Sequence, residues 1–191
     1  MDDQVYNDFY IADGADVVII AGCGIHNSGC NDSRHNGIHS FHVGKNANVR
    51  YEEKHYGEGE GTGARILDPV TKIYIGEDSV FTLDTAQIKG VDSTKRETEV
   101  ELDAGAKLYV IEKLMTHGSQ FAESNMEVRL TFRISHGLRM EYLSGCPFRN
   151  RSGNNLRGAS FSIQSHFHIG LCSFLIRIMK MFSCAFSPCC C

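Results

Sequence analysis

Apolar residues alternate with polar ones in short runs along the first two thirds of the chain, as in Phe9 to Ile11, Val17 to Ile19, Lys72 to Ile75 and Lys107 to Ile111. Apolar side chains at every second place suit a pleated strand with one buried face, so these runs are predicted as β-strands. Four of the intervening segments share one pattern: Ile11-Ala-Asp-Gly-Ala-Asp-Val17, Val43-Gly-Lys-Asn-Ala-Asn-Val49, Ile75-Gly-Glu-Asp-Ser-Val-Phe81 and Leu102-Asp-Ala-Gly-Ala-Lys-Leu108. The third place after the leading apolar residue holds Gly14, Asn46, Asp78 or Gly105, residue types that tolerate a left-handed backbone. The next holds Ala15, Ala47, Ser79 or Ala106, small enough to stack where one turn lies on another. Units beginning 32, 32 and 27 residues apart predict a stacked all-β architecture, a parallel β-helix or a sandwich. The recurring small residue favours the β-helix, because a stack needs the same small side chain at every level.

Charge divides the chain. Residues 1 to 128 hold 11 Lys and Arg against 22 Asp and Glu, whereas 129 to 191 hold 8 against the single acid Glu141. That last third also carries six of the eight Cys and seven of the eleven Phe. A basic tail for nucleic acid or a membrane surface would be rich in Lys and poor in apolar residues. This one has only Lys180, with many Ser and Phe, and it ends Ser187-Pro188-Cys189-Cys190-Cys191, so it reads as an unmatched extension with the character of out-of-frame translation. No nucleic-acid or membrane partner is expected. Ile169 to Phe186 is interrupted by Arg177 and Lys180 and falls short of the ~20 apolar residues that span a bilayer. Pro188 stands where a prenylation box needs Cys. The opening Met1-Asp2-Asp3 is acidic and no signal-like apolar run follows; with only Cys23 and Cys30 in the acidic part, a cytoplasmic setting is expected.

The densest group of potential ligands is Cys23-Gly-Ile-His26-Asn-Ser-Gly-Cys30, followed by His35, His39 and His42. Thiols and imidazoles suit iron, zinc or copper, and Gly22, Gly24 and Gly29 would let the backbone close around one ion. The bland alternative is a β-rich loop with two buried thiols and some surface imidazoles. His39 and His42 are three apart, so on one strand they face opposite sides; His39 is the preferred ligand of the two. The glycine-rich Tyr56-Gly-Glu-Gly-Glu-Gly-Thr-Gly63 lacks the Gly-Lys-Ser/Thr ending of a phosphate loop and carries two repelling acids, so a long flexible excursion between turns is expected. Thr116-His117-Gly118-Ser119 and Asp92-Ser93-Thr94 bring hydroxyl, imidazole and acid together without a nucleophile elbow, which gives a hydrolase little support.

Several blocks together resemble one family: Phe9-Tyr-Ile-Ala-Asp-Gly-Ala-Asp-Val17, Ala21-Gly-Cys-Gly-Ile-His26, Gly37-Ile-His39, Lys54-His-Tyr-Gly57, Gln87-Ile-Lys-Gly-Val-Asp92 and Glu112-Lys-Leu-Met-Thr-His117 are similar to the SufB/SufD iron-sulfur cluster assembly scaffolds, more narrowly to their short SufB-like branch. The resemblance covers residues 1 to 128. It implies a partial right-handed parallel β-helix in a cytoplasmic complex that takes up sulfide and iron, builds a transient iron-sulfur cluster and works with a SufC-type ABC ATPase. It also implies a homo- or heterodimer with a SufB/SufD-like subunit. By the resemblance Cys23 accepts sulfur, His39 matches a family histidine, and His26 and Cys30 join them as metal ligands. The family's later cysteine, its acid-His-acid group and its ATPase-docking region find no match after Val128, and its segment before the β-helix is also unmatched; a fragment truncated at both ends is expected. The leading expectation is thus a non-enzymatic scaffold. The alternative is a metal-dependent, cupin-like enzyme using the same Cys and His, against which counts the lack of a His-x-His in the acidic part. A structural adhesin would leave six His and two Cys there unexplained.

Overall fold

A computed structural model describes residues 2–130 in full and, beyond them, the backbone of four strands at 138–144, 149–155, 158–167 and 170–180. The side chains of the basic extension lie outside the described residues, as does the question of its origin. The described residues form strands and turns, with no helix among them, so no helix is long and apolar enough to cross a membrane.

The chain winds as a parallel β-helix of about four turns with two strands in each. The first turn is β1 (Asp2–Ile11) and β2 (Asp16–His26), and the second is β3 (Ser33–Val43) and β4 (Asn48–Glu58). The third pairs the broken strand β5 (Arg65–Leu67) and β6 (Val70–Ile75) with β7 (Val80–Lys89). The fourth is β8 (Ser93–Leu102) and β9 (Lys107–Thr116), and β10 (Phe121–Leu130) opens the next. The strands that open each turn build one parallel sheet in the order β1, β3, β5/β6, β8, β10; β2, β4, β7 and β9 build the other. In the extension, β13 (Gly158–Phe167) and β14 (Gly170–Lys180) join β10 and β9 antiparallel, so the parallel winding ends there. β12 (Arg149–Asn155) and β11 (Leu138–Ser144) lie outermost.

The repeated segments are the corners from the first sheet to the second. Gly14, Asn46, Asp78 and Gly105 all have positive φ, between 54° and 74°. The small residues that follow them stack: Asn48 N donates to Ala15 O, Val80 N to Ala47 O and Lys107 N to Ser79 O, each at 2.8 Å. Three of the five residues lost between the 32- and 27-residue repeats fall in the opposite connection, which runs from 59 to 64 in the second turn and only from 90 to 92 in the third.

Register then dictates the core. Phe9, Phe41, Ile73, Val100 and Val128 face inward one above the next from the first sheet, against Val17, Val49, Phe81 and Leu108 from the second. Phe41 stacks on Phe9 at 4.7 Å and meets Phe81 edge-on at 5.2 Å. Each fully buried side chain of this size contributes about 1.5–3 kcal/mol by leaving water. On the outer face His42 stacks between Tyr10 and Tyr74, opposite in direction to the buried His39, as the strand period requires.

The glycine-rich segment 57–63 is not a flexible excursion. Gly59, Gly61 and Gly63 lie directly against the loop at 27–31, close enough that a Cβ at Gly61 would come within 2.5 Å of Gly29 O and one at Gly63 within 2.1 Å of Asn31 O. The Asn27 side chain ties the loop together, donating to Asn31 O at 2.9 Å and accepting from Gly29 N at 2.9 Å. Glycine recurs there because two backbones touch.

Candidate metal centre

The interior is apolar near the repeated corners and polar toward the opposite connections. The reason is again register: on β4 the inward places after Tyr51 are Glu53 and His55, and on β9 the inward place after Val110 is Glu112. Cys23 of β2 lies over His55, and Ala21 over Glu53. The first sheet supplies His39 from β3 and Arg96 from β8, both buried. Ile25, Leu67 and Val91 close the polar region at its far side, with Cys23 packed against them.

One oxygen is the focus. Glu53 Oε1 lies 3.6 Å from Cys23 Sγ, 3.6 Å from His39 Nε2 and 3.2 Å from His55 Nε2. Ligand atoms of Cys23, Glu53 and His55 all fall within 4.8 Å of one another, the spacing of a set that can close on one ion. Neither Nε2 has a well-directed hydrogen bond, although both are buried. Behind His55, the Arg96 guanidinium donates to His55 Nδ1, to Thr85 Oγ1 at 2.9 Å and to Glu112 Oε1 at 3.1 Å. Behind His39, the Tyr51 hydroxyl lies 3.5 Å from Nδ1. The buried region thus sets two carboxyl groups, Glu53 and Glu112, against one guanidinium.

Burial, then the Glu53 charge and hydrogen bond, push the Cys23 thiol up to about 12, with Arg96 opposing. The metal-free thiol is therefore protonated at neutral pH. Burial lowers both His39 and His55, so the imidazoles are neutral. For Glu53, burial acts upward but is outweighed by the His55 hydrogen bond and the charges of neighbouring groups, which hold the carboxyl down at about 2. With both imidazoles neutral, the physical cause we place first among those charges is Arg96. The result is a carboxylate, two neutral imidazoles and a thiol turned toward one point, a mixed hard and soft donor set suited to iron or zinc.

Of the residues expected as ligands, the structure brings Cys23 and His39 to this point and leaves the other two apart. His26 ends β2 on an exposed place opposite Glu58, and Cys30 is exposed in the following loop. His35 is engaged with Asp3, Nδ1 to Oδ2 at 3.0 Å. Glu53, His55 and Arg96 were not anticipated, although the 32-residue repeat held the signal for two of them: advancing Ala21 and Cys23 by one repeat gives Glu53 and His55. A surface concavity beside Tyr10, His42 and Tyr74 opens on the outer face of the first sheet, away from this cluster.

Fold and site define a class: a parallel β-helix with a half-buried thiol beside buried imidazole and carboxylate groups. No family model, curated protein or solved structure matches the chain.

Proposed function

We propose that the chain is a component of an iron-sulfur cluster assembly scaffold, in keeping with its resemblance to the SufB/SufD family. The observation that carries the reading is the convergence of the Cys23 thiol and the His39 and His55 imidazoles on the Glu53 carboxylate inside a β-helix, at 3.6, 3.6 and 3.2 Å from Oε1, since thiolate, carboxylate and imidazole are the ligands that iron and iron-sulfur clusters use. Iron and sulfide are cargo here, and the protein acts as scaffold rather than enzyme.

Cys23 is the sulfur acceptor in this reading. Its thiolate attacks the outer sulfur of a donor persulfide, a new S–S bond forms at Cys23, and the donor's own S–S bond breaks to release the donor as a thiolate. The proton that Cys23 must first lose is held tightly in the metal-free site, so cation binding beside it favours the transfer. The partners are those of the family: a SufC-type ABC ATPase and a SufB/SufD-like subunit, in the cytoplasm.

The test is anaerobic reconstitution of the full chain with ferrous iron and sulfide, in wild type and in Cys23→Ser. A thiolate-ligated cluster absorbs between about 300 and 500 nm, and that absorbance should fall in the mutant. Folded wild-type protein that gains no chromophore would refute the proposal.

A further inference from the structure

Distance alone selects Cys23, Glu53 and His55 as a ligand set, but the hydrogen bonds behind the two imidazoles select differently. A histidine that binds metal through Nε2 must offer a lone pair there, so in the neutral ring its proton sits on Nδ1, and that N–H needs an acceptor. Behind His55 stands a guanidinium, which has five donors and no acceptor. Nδ1 of His55 therefore accepts and its proton sits on Nε2, which lies 3.2 Å from Glu53 Oε1 without being well directed at it. Behind His39 stands a hydroxyl, 3.5 Å from Nδ1, which can accept from Nδ1–H. His39 Nε2 is then free as a lone pair, buried, and without a hydrogen-bond partner.

We infer that the β-helix holds a single divalent transition-metal ion through Cys23 Sγ, His39 Nε2 and the Glu53 carboxylate, with His55 as a positioning residue whose Arg96-fixed N–H orients Glu53. The inference deepens the iron-handling role proposed above and rests on that reading for the natural metal, though not for the ligand set. Space for the ion is kept by Gly37, where a Cβ would stand 2.8 Å from His39 Nε2 and 3.7 Å from Cys23 Sγ. Zinc or iron requires about 2.0–2.3 Å to each ligand atom, and Cys23 Sγ and His39 Nε2 each stand 3.6 Å from Glu53 Oε1. Two carboxyl groups facing one guanidinium leave a negative balance that a cation offsets. Three protein ligands leave a fourth position open, as in sites that exchange a water or take up an incoming sulfide.

The test uses the full chain, labelled with nitrogen-15, and zinc alone without sulfide. Before zinc, the imidazole nitrogen shifts of His55 should show the proton on Nε2. On adding one equivalent, His39 Nε2 should move to a metal-bound shift while His55 keeps its Nε2 proton. Cobalt in place of zinc should give a thiolate-to-metal charge-transfer band that disappears in Cys23→Ser and persists in His55→Gln, with affinity reduced about 10- to 100-fold in the latter. A metal-bound shift at His55 Nε2 overturns the assignment, as does a zinc titration that moves neither ring. The wild-type spectra need no variant to fold. Zinc binding as described without any cluster from iron and sulfide would sink the scaffold reading alone, and a cluster without zinc at His39 would sink this one alone.

Discussion

Replacing Glu53 by glutamine removes one negative charge 3.6 Å from the Cys23 sulfur while keeping the shape of the side chain. At an effective dielectric of about 20, two charges at that separation interact by about 4.6 kcal/mol, which would change an acid dissociation constant by roughly two-thousandfold. Cys23 is only half-buried and solvent screens part of this, so a gain of about 10²- to 10³-fold in thiol ionisation is the reasonable span. Arg96, no longer balanced by Glu53, acts in the same direction. Nucleophilicity falls as the thiol becomes more acidic, with a Brønsted slope of about 0.4–0.5, and takes back a little under half of the gain on a logarithmic scale. Alkylation of Cys23 by iodoacetamide at pH 8 should then speed up on the order of 10- to 50-fold in Glu53→Gln. Cys30 is exposed and reacts in both proteins, so the rate must be followed on the Cys23 peptide by mass spectrometry, without metal and under anaerobic conditions. An unchanged rate would show that the carboxylate does not govern the thiol, and the electrostatic account of the site would fall with it.

Three further outcomes follow from the same structure. His39 and His55 are held neutral by burial, below the ordinary histidine value of 6.5, so the unfolded chain takes up protons that the folded chain refuses. Folding stability should therefore fall as pH drops below about 6.5, by at most about 2.7 kcal/mol per pH unit when both contribute, and continue to fall between 4.5 and about 2 as Glu53 resists protonation. Urea titrations across that range check the sign, and His39→Gln should flatten the upper part. Gly37→Ala retains every ligand residue but sets a Cβ 2.8 Å from His39 Nε2, which must shift, so cobalt affinity measured by absorbance should drop at least about tenfold, with circular dichroism unchanged. Phe41→Ala empties a place of zero exposure between Phe9, Tyr51 and Phe81 and should cost about 3–5 kcal/mol in chemical denaturation; a loss below about 1 kcal/mol would contradict the stacked core.

The architecture was legible because it is written in backbone conformation. Gly14, Asn46, Asp78 and Gly105 mark the left-handed corners, and the small residue after each marks the stacking place, so four short segments were enough to predict a β-helix. The glycine-rich stretch misled because glycine permits both looseness and close approach, and only the neighbouring loop at 27–31 decides between them. The site was half legible. Cys23 and His39 stand out as ligand types beside glycines, but Glu53 and His55 sit among Glu52, Lys54 and Tyr56 in a run that is polar on both faces, where alternation no longer tells inside from outside.

In a stacked coil the residues that meet are separated by one repeat, and proximity along the sequence is a poor guide to proximity in space. Cys23, His26 and Cys30 look like a ligand set because they are close in sequence, yet Cys23 points into the coil while His26 ends its strand on an exposed place and Cys30 lies in the loop that follows. The residue beneath Cys23 is His55, and the next below is Gln87, so the thiol stands at the head of an inward column that is polar for two further turns before it closes at Leu114. Hydrophobic collapse alone would fill such a column with residues like Leu114. That it holds instead an imidazole and an amide, with Glu53, Arg96 and Glu112 beside them, costs folding free energy that a purely structural coil has no reason to forgo. The apolar half of the interior packs around Phe41, Tyr51 and Phe81, and the polar half holds the candidate metal site.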